Sequence, residues 1–308
     1  MAIIAQLSDL HLLSGEVEQG EILAALVDVL RREVADKARA IDMLAVTGDV
    51  FDSASRTPEQ SVNAFLRLHD QIRRALGREV PTVIVPGNHD RRRSGLLGPF
   101  RREPFVALRD ALGERAFVHG STVPFQVVPP ELHGMPAWVV AFDSTYLPSG
   151  LISAGGSLRQ EDILHAAAAV GSRNPDWPVL FLLHHHLIPT PLTDVGVVKV
   201  DKTPQLVRWS VQHLLPTLIA NADREEMTMT ALGAGTALST LHALGRAVLV
   251  LHGHKHYATA RLSSGLADGQ GDVLVVSAGS CGSVQSWIRY EHCPPRTLIR
   301  VYWPLESG

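Results

Sequence analysis

Residues 3–11 read IIAQLSDLH, a short apolar run that stops on an aspartate and a histidine. The same arrangement recurs along the chain. MLAVT at 43–47 runs into GDVFD, TVIVP at 82–86 into GNHD, VLFLL at 179–183 into HHH, and AVLVL at 247–251 into HGHKH. Apolar runs of this length, without polar alternation, read as strands buried on both faces. Two segments of helical period separate the first three strands. Residues 18–38 place Ile22, Leu23, Leu26, Val29 and Leu30 on one face, and residues 58–76 open on Pro58 and stop at Gly77. A β-α-β-α-β order predicts an α/β protein with a largely parallel central sheet.

The middle of the chain is less regular. Residues 117–128 and 137–142 read as strands, 159–170 as a helix and 179–183 as a strongly apolar strand. An interruption follows at about 187–245, with helix-period segments at 204–220 and 233–244, before strands return at 247–251, 257–262, 273–277 and 297–302. There is no internal repeat, low-complexity tract or linker, so the expected organisation is one domain over 1–308 carrying a helical insertion. The insertion mixes apolar helices with Pro189, Pro191, Pro204 and Pro216. It reads either as a cap over the strand ends, serving as a lid or a homodimer surface, or as an added helical layer.

Composition narrows the class. The 308 residues are 45% hydrophobic and 19% charged, which supports a large core and argues against global disorder. A net charge of −3 supplies no overall field for nucleic acid or an anionic membrane. The local exception is Arg91-Arg92-Arg93, which reads as a solvated run or as a phosphate contact. Cys281 and Cys293 are too few for a thiolate zinc site or a disulfide framework, and point to a cytoplasmic protein with reduced thiols. The N-terminus lacks a basic leader and a cleavage site and reads as a first strand. No run approaches the ~18 apolar residues of a membrane span, so no membrane partner is expected.

The chemistry lies in the residues that end the strands. In open α/β sheets, sites form at the C-terminal strand edge. Asp9, His11, Asp49, Asp52, Asn88, His89, His184, His254 and His256 all fall there. Carboxylate, imidazole and amide oxygen, with no thiolate, suit Mn, Fe or Zn. Seven of these residues (Asp9, His11, Asp49, Asn88, His184, His254 and His256) are too many for one tetrahedral ion. They fit two ions about 3.5–4 Å apart sharing one carboxylate. Each fragment alone has a plainer reading, as a chance Asp-x-His, a Gly-Asp turn, or histidines in a solvated loop. Five such fragments in order, each at a strand end, point to a site.

Together SDLH at 8–11, GDVFD at 48–52, GNHD at 87–90, the histidine opening HHHLIP at 184 and GHKH at 253–256 resemble the calcineurin-like metallophosphoesterase superfamily. The resemblance implies a four-layer α/β/β/α sandwich with an inserted helical cap segment. It implies that Asp9, His11 and His256 hold one metal, that Asn88, His184 and His254 hold the other, and that Asp49 bridges both. It makes His89 the proton donor to the leaving oxygen, oriented by Asp52, since a carboxylate neighbour favours the protonated imidazole. The implied reaction is attack on phosphorus by a metal-bridging hydroxide, with two divalent or trivalent ions acidifying the water and neutralising the phosphoryl oxygens. His184 is assigned over His185 and His186 because it comes first after its strand. The family's His-His-Pro-Pro versions carry prolines where this chain has His186 and Leu187. His252 reads as structural or supporting.

Within the superfamily, AFDST at 141–145, the glycine-rich stretch 150–156 and LRQEDI at 158–163 resemble the class III cyclic-nucleotide phosphodiesterase branch. That branch implies a small phosphodiester substrate. GDVFD and GNHD are also similar to the DNA double-strand-break repair nucleases, whose further capping domain this chain is expected to be too short to hold; nucleic acid is therefore a secondary expectation. A phosphomonoesterase is the other enzymatic alternative. The Ser/Thr protein phosphatases carry a fuller signature, and here Ser53-Ala54 and Asp90 stand in its place. A metal-binding scaffold protein without catalysis would be expected to have lost ligands or His89, and the set is complete.

Overall fold

The computed structural model describes residues 2–12, 19–37, 40–52, 57–91, 103–120, 122–145, 156–172, 174–189, 230–256, 258–282 and 298–301. The first half runs β1 (Ala2–Leu7), α1 (Gln19–Lys37), β2 (Met43–Thr47), α2 (Pro58–Leu76), β3 (Thr82–Val85), α3 (Pro104–Leu112) and β4 (Phe117–Val118). It continues with β5 (Phe125–Val128), α4 (Pro130–His133), β6 (Trp138–Phe142), α5 (Gln160–Gly171) and β7 (Val179–Leu182). The described remainder is α6 (Ala234–His242), β8 (Val248–His252), β9 (Ala258–Ser263), β10 (Val273–Ala278) and β11 (Leu298–Val301). None of the described helices is long and apolar enough to cross a membrane.

The strands form two sheets. One has the order β11-β1-β2-β3-β4, with β1 to β4 parallel and β11 antiparallel at the edge. The other has the order β5-β6-β7-β8-β10-β9, with a parallel centre and antiparallel edges. Side-chain alternation sorts each strand between two cores. Ile3, Ala5 and Leu7 of β1, Leu44 and Val46 of β2 and Ile84 of β3 pack with Leu26, Leu30, Phe65, Ile72 and Leu108 of the helices α1 to α3. The alternate residues Ile4, Met43, Ala45, Val83 and Val85 face Val139, Ala141, Leu180, Leu182, Leu249 and Leu251 of the second sheet. On its far side, Val140, Phe142, Phe181, Val250 and Val275 pack with Ile163, Ala166 and Val170 of α5 and with Ala234, Ala237 and Leu241 of α6. The layers are therefore α/β/β/α. Both faces of the central strands are covered, which is why their sequences are apolar without alternation.

Gln6 is a fully buried polar residue of β1. Its Nε2 donates to Thr47 Oγ1 at 3.0 Å and to the His252 carbonyl at 2.8 Å, a tie between the two sheets directly beneath the strand ends.

Two expectations change. Residues 117–128 are two strands, not one: β4 closes the first sheet and β5 opens the second. The chain crosses between sheets through Gly120, whose N–H donates to Gln126 Oε1 at 2.6 Å, and apolar periodicity carries no signal for such a crossing. Helix α3, opening on Pro104, had no expected counterpart. Of the 187–245 segment, the expected helix at 204–220 lies outside the described residues, as does everything from 190 to 229. The described helix α6 packs beside α5 in the outer layer, so that part of the segment covers the sheet face and not the strand ends.

Candidate metal centre

The C-terminal ends of β1, β2 and β3 meet those of β7 and β8. Asp9 and His11 follow β1, Asp49 follows β2, Asn88 and His89 follow β3, His184 follows β7, and His254 and His256 follow β8. Backbone bonds lace these loops together. Asp9 N–H donates to the Gly48 carbonyl, His11 N–H to that of Asp49 and Gly253 N–H to that of His184, each at 3.0 Å. His254 N–H lies 3.1 and 3.0 Å from the two carboxylate oxygens of Asp9, and His89 N–H donates to Asp49 Oδ1 at 2.8 Å. The loop from β3 approaches so closely that a Cβ on Gly87 would sit 2.2 Å from Asp49 Oδ1. Asp90 accepts from Gly87 N–H at 2.8 Å and from Phe51 N–H at 3.0 Å, binding the β2 and β3 loops to each other.

Among the described residues, left-handed backbone outside glycine occurs at Asp9 (φ 50°), His11 (42°), Asp49 (49°), His254 (82°) and His256 (60°). All five belong to the set of seven. Each such residue costs about 1–2 kcal/mol, though Asp and His tolerate the region better than most. Strain held this way clusters at functional sites because surrounding contacts must impose it.

The donor atoms fall into two groups. In one, His11 Nε2 lies 3.0 Å from His256 Nε2, and His256 Nε2 lies 3.5 Å from Asp9 Oδ1. In the other, His184 Nε2 lies 3.1 Å from Asn88 Oδ1, 3.2 Å from His254 Nδ1 and 3.4 Å from Asp49 Oδ2. Asp49 Oδ2 also lies 3.9 Å from His11 Nε2, so its carboxylate stands between the groups. Atoms each about 2.0–2.2 Å from one zinc-sized ion are about 3.0–3.5 Å apart at octahedral or tetrahedral angles. The spacings fit an ion in each group, and the oxygen-plus-imidazole chemistry fits a borderline divalent metal.

Electrostatics agree with ligand duty. Burial pushes Asp49 up, but the charge and hydrogen bond of His184, then His11 and His89, outweigh it and hold the carboxyl well below its usual range. Burial likewise opposes charge on His184, yet Asp49 raises its pKa to about 9. A bound cation would take the place of that proton. Burial lowers His11 to about 4, and burial together with the neighbouring histidines lowers His254, which keeps both imidazoles neutral with lone pairs to offer.

His89 stands beside both groups. Its Nδ1 is 3.8 Å from Asp52 Oδ1 and its Nε2 is 3.9 Å from Asp49 Oδ2; its ring sits edge-on to His11 at 4.9 Å. At 3.8 Å the contact with Asp52 is longer than a hydrogen bond. Of the three consecutive histidines, His184 points at Asp49. His185 Nδ1 pairs with Ser144 Oγ at 2.7 Å, and its ring lies 4.5 Å from that of His254, so it is the nearest further donor to the second group. His186 packs against His252 at 4.3 Å, away from Asp49.

Arg91 departs from both of its expected readings. Its guanidinium is paired with Glu103 at 2.9 Å and with the fully buried Asp143, and it lies over the Phe105 ring. It ties the β3 loop to the loop after β6; Arg92 and Arg93 lie outside the described residues. Removing one partner of a mostly buried pair strands the other charge. Arg91→Ala should therefore destabilise the chain by about 3–5 kcal/mol in urea unfolding. A loss below about 1 kcal/mol, the range of a surface pair, would refute this role.

A family model described as calcineurin-like phosphoesterase matches residues 3–258, and the chain belongs to that family. No curated protein matches the chain. Among solved structures, a dimetal phosphatase from Danio rerio is similar in fold, with 14% identity and a TM-score of 0.51, covering 91% of this chain and 88% of that one. A phosphopantetheinyl hydrolase from Mycobacterium tuberculosis is 17% identical, with a TM-score of 0.45, covering 100% of this chain and 98% of that one.

Proposed function

We propose that this family member is a dinuclear-metal phosphoesterase that cleaves phosphodiester bonds, with cyclic nucleotides as its leading substrate class. The observation that carries the reading is the pair of donor groups on either side of Asp49, with His89 next to both. In this reading Asp9, His11 and His256 hold one ion, Asn88, His184 and His254 hold the other, and Asp49 is shared. Two such ions supply positive charge for the phosphoryl oxygens and acidify a water. The same donor types support Mn, Fe or Zn as the ions.

The residues of the chain do the rest. Asn88 and the imidazoles fix where the phosphoryl group can sit, because hydrogen bonds from backbone and side chains hold their loops in place. His89 has Asp52 on its Nδ1 side, which leaves Nε2 to deliver a proton to the leaving oxygen as the P–O bond breaks. The diester preference rests on the AFDST resemblance and on Arg91, which two carboxylates occupy; a dianionic monoester would gain more from a free guanidinium. A cytoplasmic setting belongs to the same reading: the described cysteine, Cys281, is a buried free thiol whose pKa burial raises to about 12.

The test is one assay set with added Mn: bis-(p-nitrophenyl) phosphate against p-nitrophenyl phosphate, then cyclic AMP against single-stranded DNA. The expected result is faster diester cleavage, hydrolysis of cyclic AMP and no nuclease activity. Monoester preference would make the chain a phosphomonoesterase, DNA cleavage would favour the nuclease alternative, and two bound ions without any turnover would leave a metal-binding scaffold.

A further inference from the structure

We infer that Gln19 and Ser280 are positioning residues for the Asp9–His11 half of the metal centre. The inference rests on the reading that Asp9, His11 and His256 hold a cation. Both act on the backbone that carries that group.

The turn after β1 holds two left-handed residues, Asp9 and His11, around Leu10. Such a turn persists only where its surroundings over-determine it. Here all four carbonyls from Ser8 to His11 are taken by the start of α1 and by the loop after β10. Cys281 N–H donates to the Ser8 carbonyl at 2.9 Å. Ser280 Oγ donates to the Asp9 carbonyl at 2.8 Å, which Gly282 N–H also approaches at 3.3 Å. Gln19 Nε2, on the first residue of α1, donates to the His11 carbonyl at 2.7 Å and reaches that of Leu10 at 3.3 Å. The same Nε2 lies 3.4 Å from the Gly282 carbonyl, so the two braces are joined to each other. The fit against the loop after β10 is close: a Cβ on Gly282 would stand 1.8 Å from the Leu10 carbonyl oxygen. Both side chains are buried, so water cannot replace their bonds without rearrangement.

The geometry is one-sided. The braces clasp the Asp9 and His11 turn, while Asn88, His184 and His254 hang on the loops after β3, β7 and β8. Loss of a brace should therefore weaken the cation of the Asp9 and His11 turn well before the other, which meets that turn only through His254 N–H on Asp9 and His11 N–H on the Asp49 carbonyl. Outer partners of metal ligands typically set affinity by about 10–100-fold.

The test is calorimetric titration of the metal-free full chain with Mn(II), for the wild type, for Gln19→Met, which keeps the length but has no donor, and for Ser280→Ala. Thermal unfolding of the metal-free forms runs alongside. The expected result is two tight equivalents for the wild type and, in each variant, one native-like equivalent plus one weakened about tenfold or more. Adding Asn88→Ala to Gln19→Met should then weaken the remaining tight equivalent. Two unchanged equivalents in either folded variant, or equal weakening of both, would overturn the inference while leaving the two-ion reading intact. Fewer than two equivalents in the wild type would overturn the two-ion reading itself. If Gln19→Met does not fold, Ser280→Ala decides the outcome.

Discussion

Asp49→Ala should lose both cations and lower diester hydrolysis by about 10³-fold or more, since the charge that assembles the transition-state environment goes with them. The carboxylate is buried between the two donor groups, with Oδ2 3.4 Å from His184 Nε2 and 3.9 Å from His11 Nε2. Metal content after gel filtration and turnover of bis-(p-nitrophenyl) phosphate provide the two readouts. An Asp49→Ala protein with two tightly held ions would contradict the shared-ligand account. The metal-free protein offers an independent check. Asp49 raises the pKa of His184 from 6.5 to about 9 against its burial. A raised imidazole pKa stabilises the fold fully below pH 6.5, and that contribution fades as pH rises through about 9. In Asp49→Ala, chemical unfolding should lack this fall on the alkaline side.

His89→Ala should behave differently: turnover lower by about 10²–10⁴-fold, as for loss of a general acid, with both ions retained. Its nitrogens stand 3.8 and 3.9 Å from carboxylates of Asp52 and Asp49, outside both close-spaced donor groups. The leaving group sharpens the test. A p-nitrophenolate leaves without much help from a proton, whereas the alkoxide of a cyclic nucleotide needs one. The loss should therefore be larger on cyclic AMP than on bis-(p-nitrophenyl) phosphate. Equal losses on both substrates, or metal loss matching that of Asp49→Ala, would remove His89 from the donor role.

Much of this centre was legible in the sequence because its parts obey local rules. A strand buried on both faces is apolar throughout, so its end is sharp. Residues such as Asp9, Asp49 and His254, one or two positions past that end, stand out. The assignment of the four layers needed the family resemblance, since the β-α-β-α-β order by itself speaks for one parallel sheet. The crossing between β4 and β5 was hidden for a related reason: both strands are apolar, and only the turn at Gly120 separates their sheets.

The supporting residues were illegible because their partners are far away in the chain. Arg91 meets Glu103 at a separation of 12 residues and Asp143 at 52, so the sequence offered only an arginine run. Ser280 meets Asp9 at a separation of 271 residues. Gln19 lies only 8 residues from His11, yet its bonds are to carbonyls, which leave no mark on side-chain patterns. The left-handed residues were hidden too. Glycine usually announces such a conformation. Here aspartate and histidine adopt it, held there by the hydrogen bonds that lace the strand-end loops together.

Two cations are expected on either side of Asp49. The most direct measurement is an anomalous-difference map from crystals of the full chain grown with Mn(II). Two peaks about 3.5–4 Å apart are expected, one among Asp9, His11 and His256, the other among Asn88, His184 and His254, with the Asp49 carboxylate between them. A single peak, or a peak held by His185 and His254 without Asp49, would contradict this arrangement.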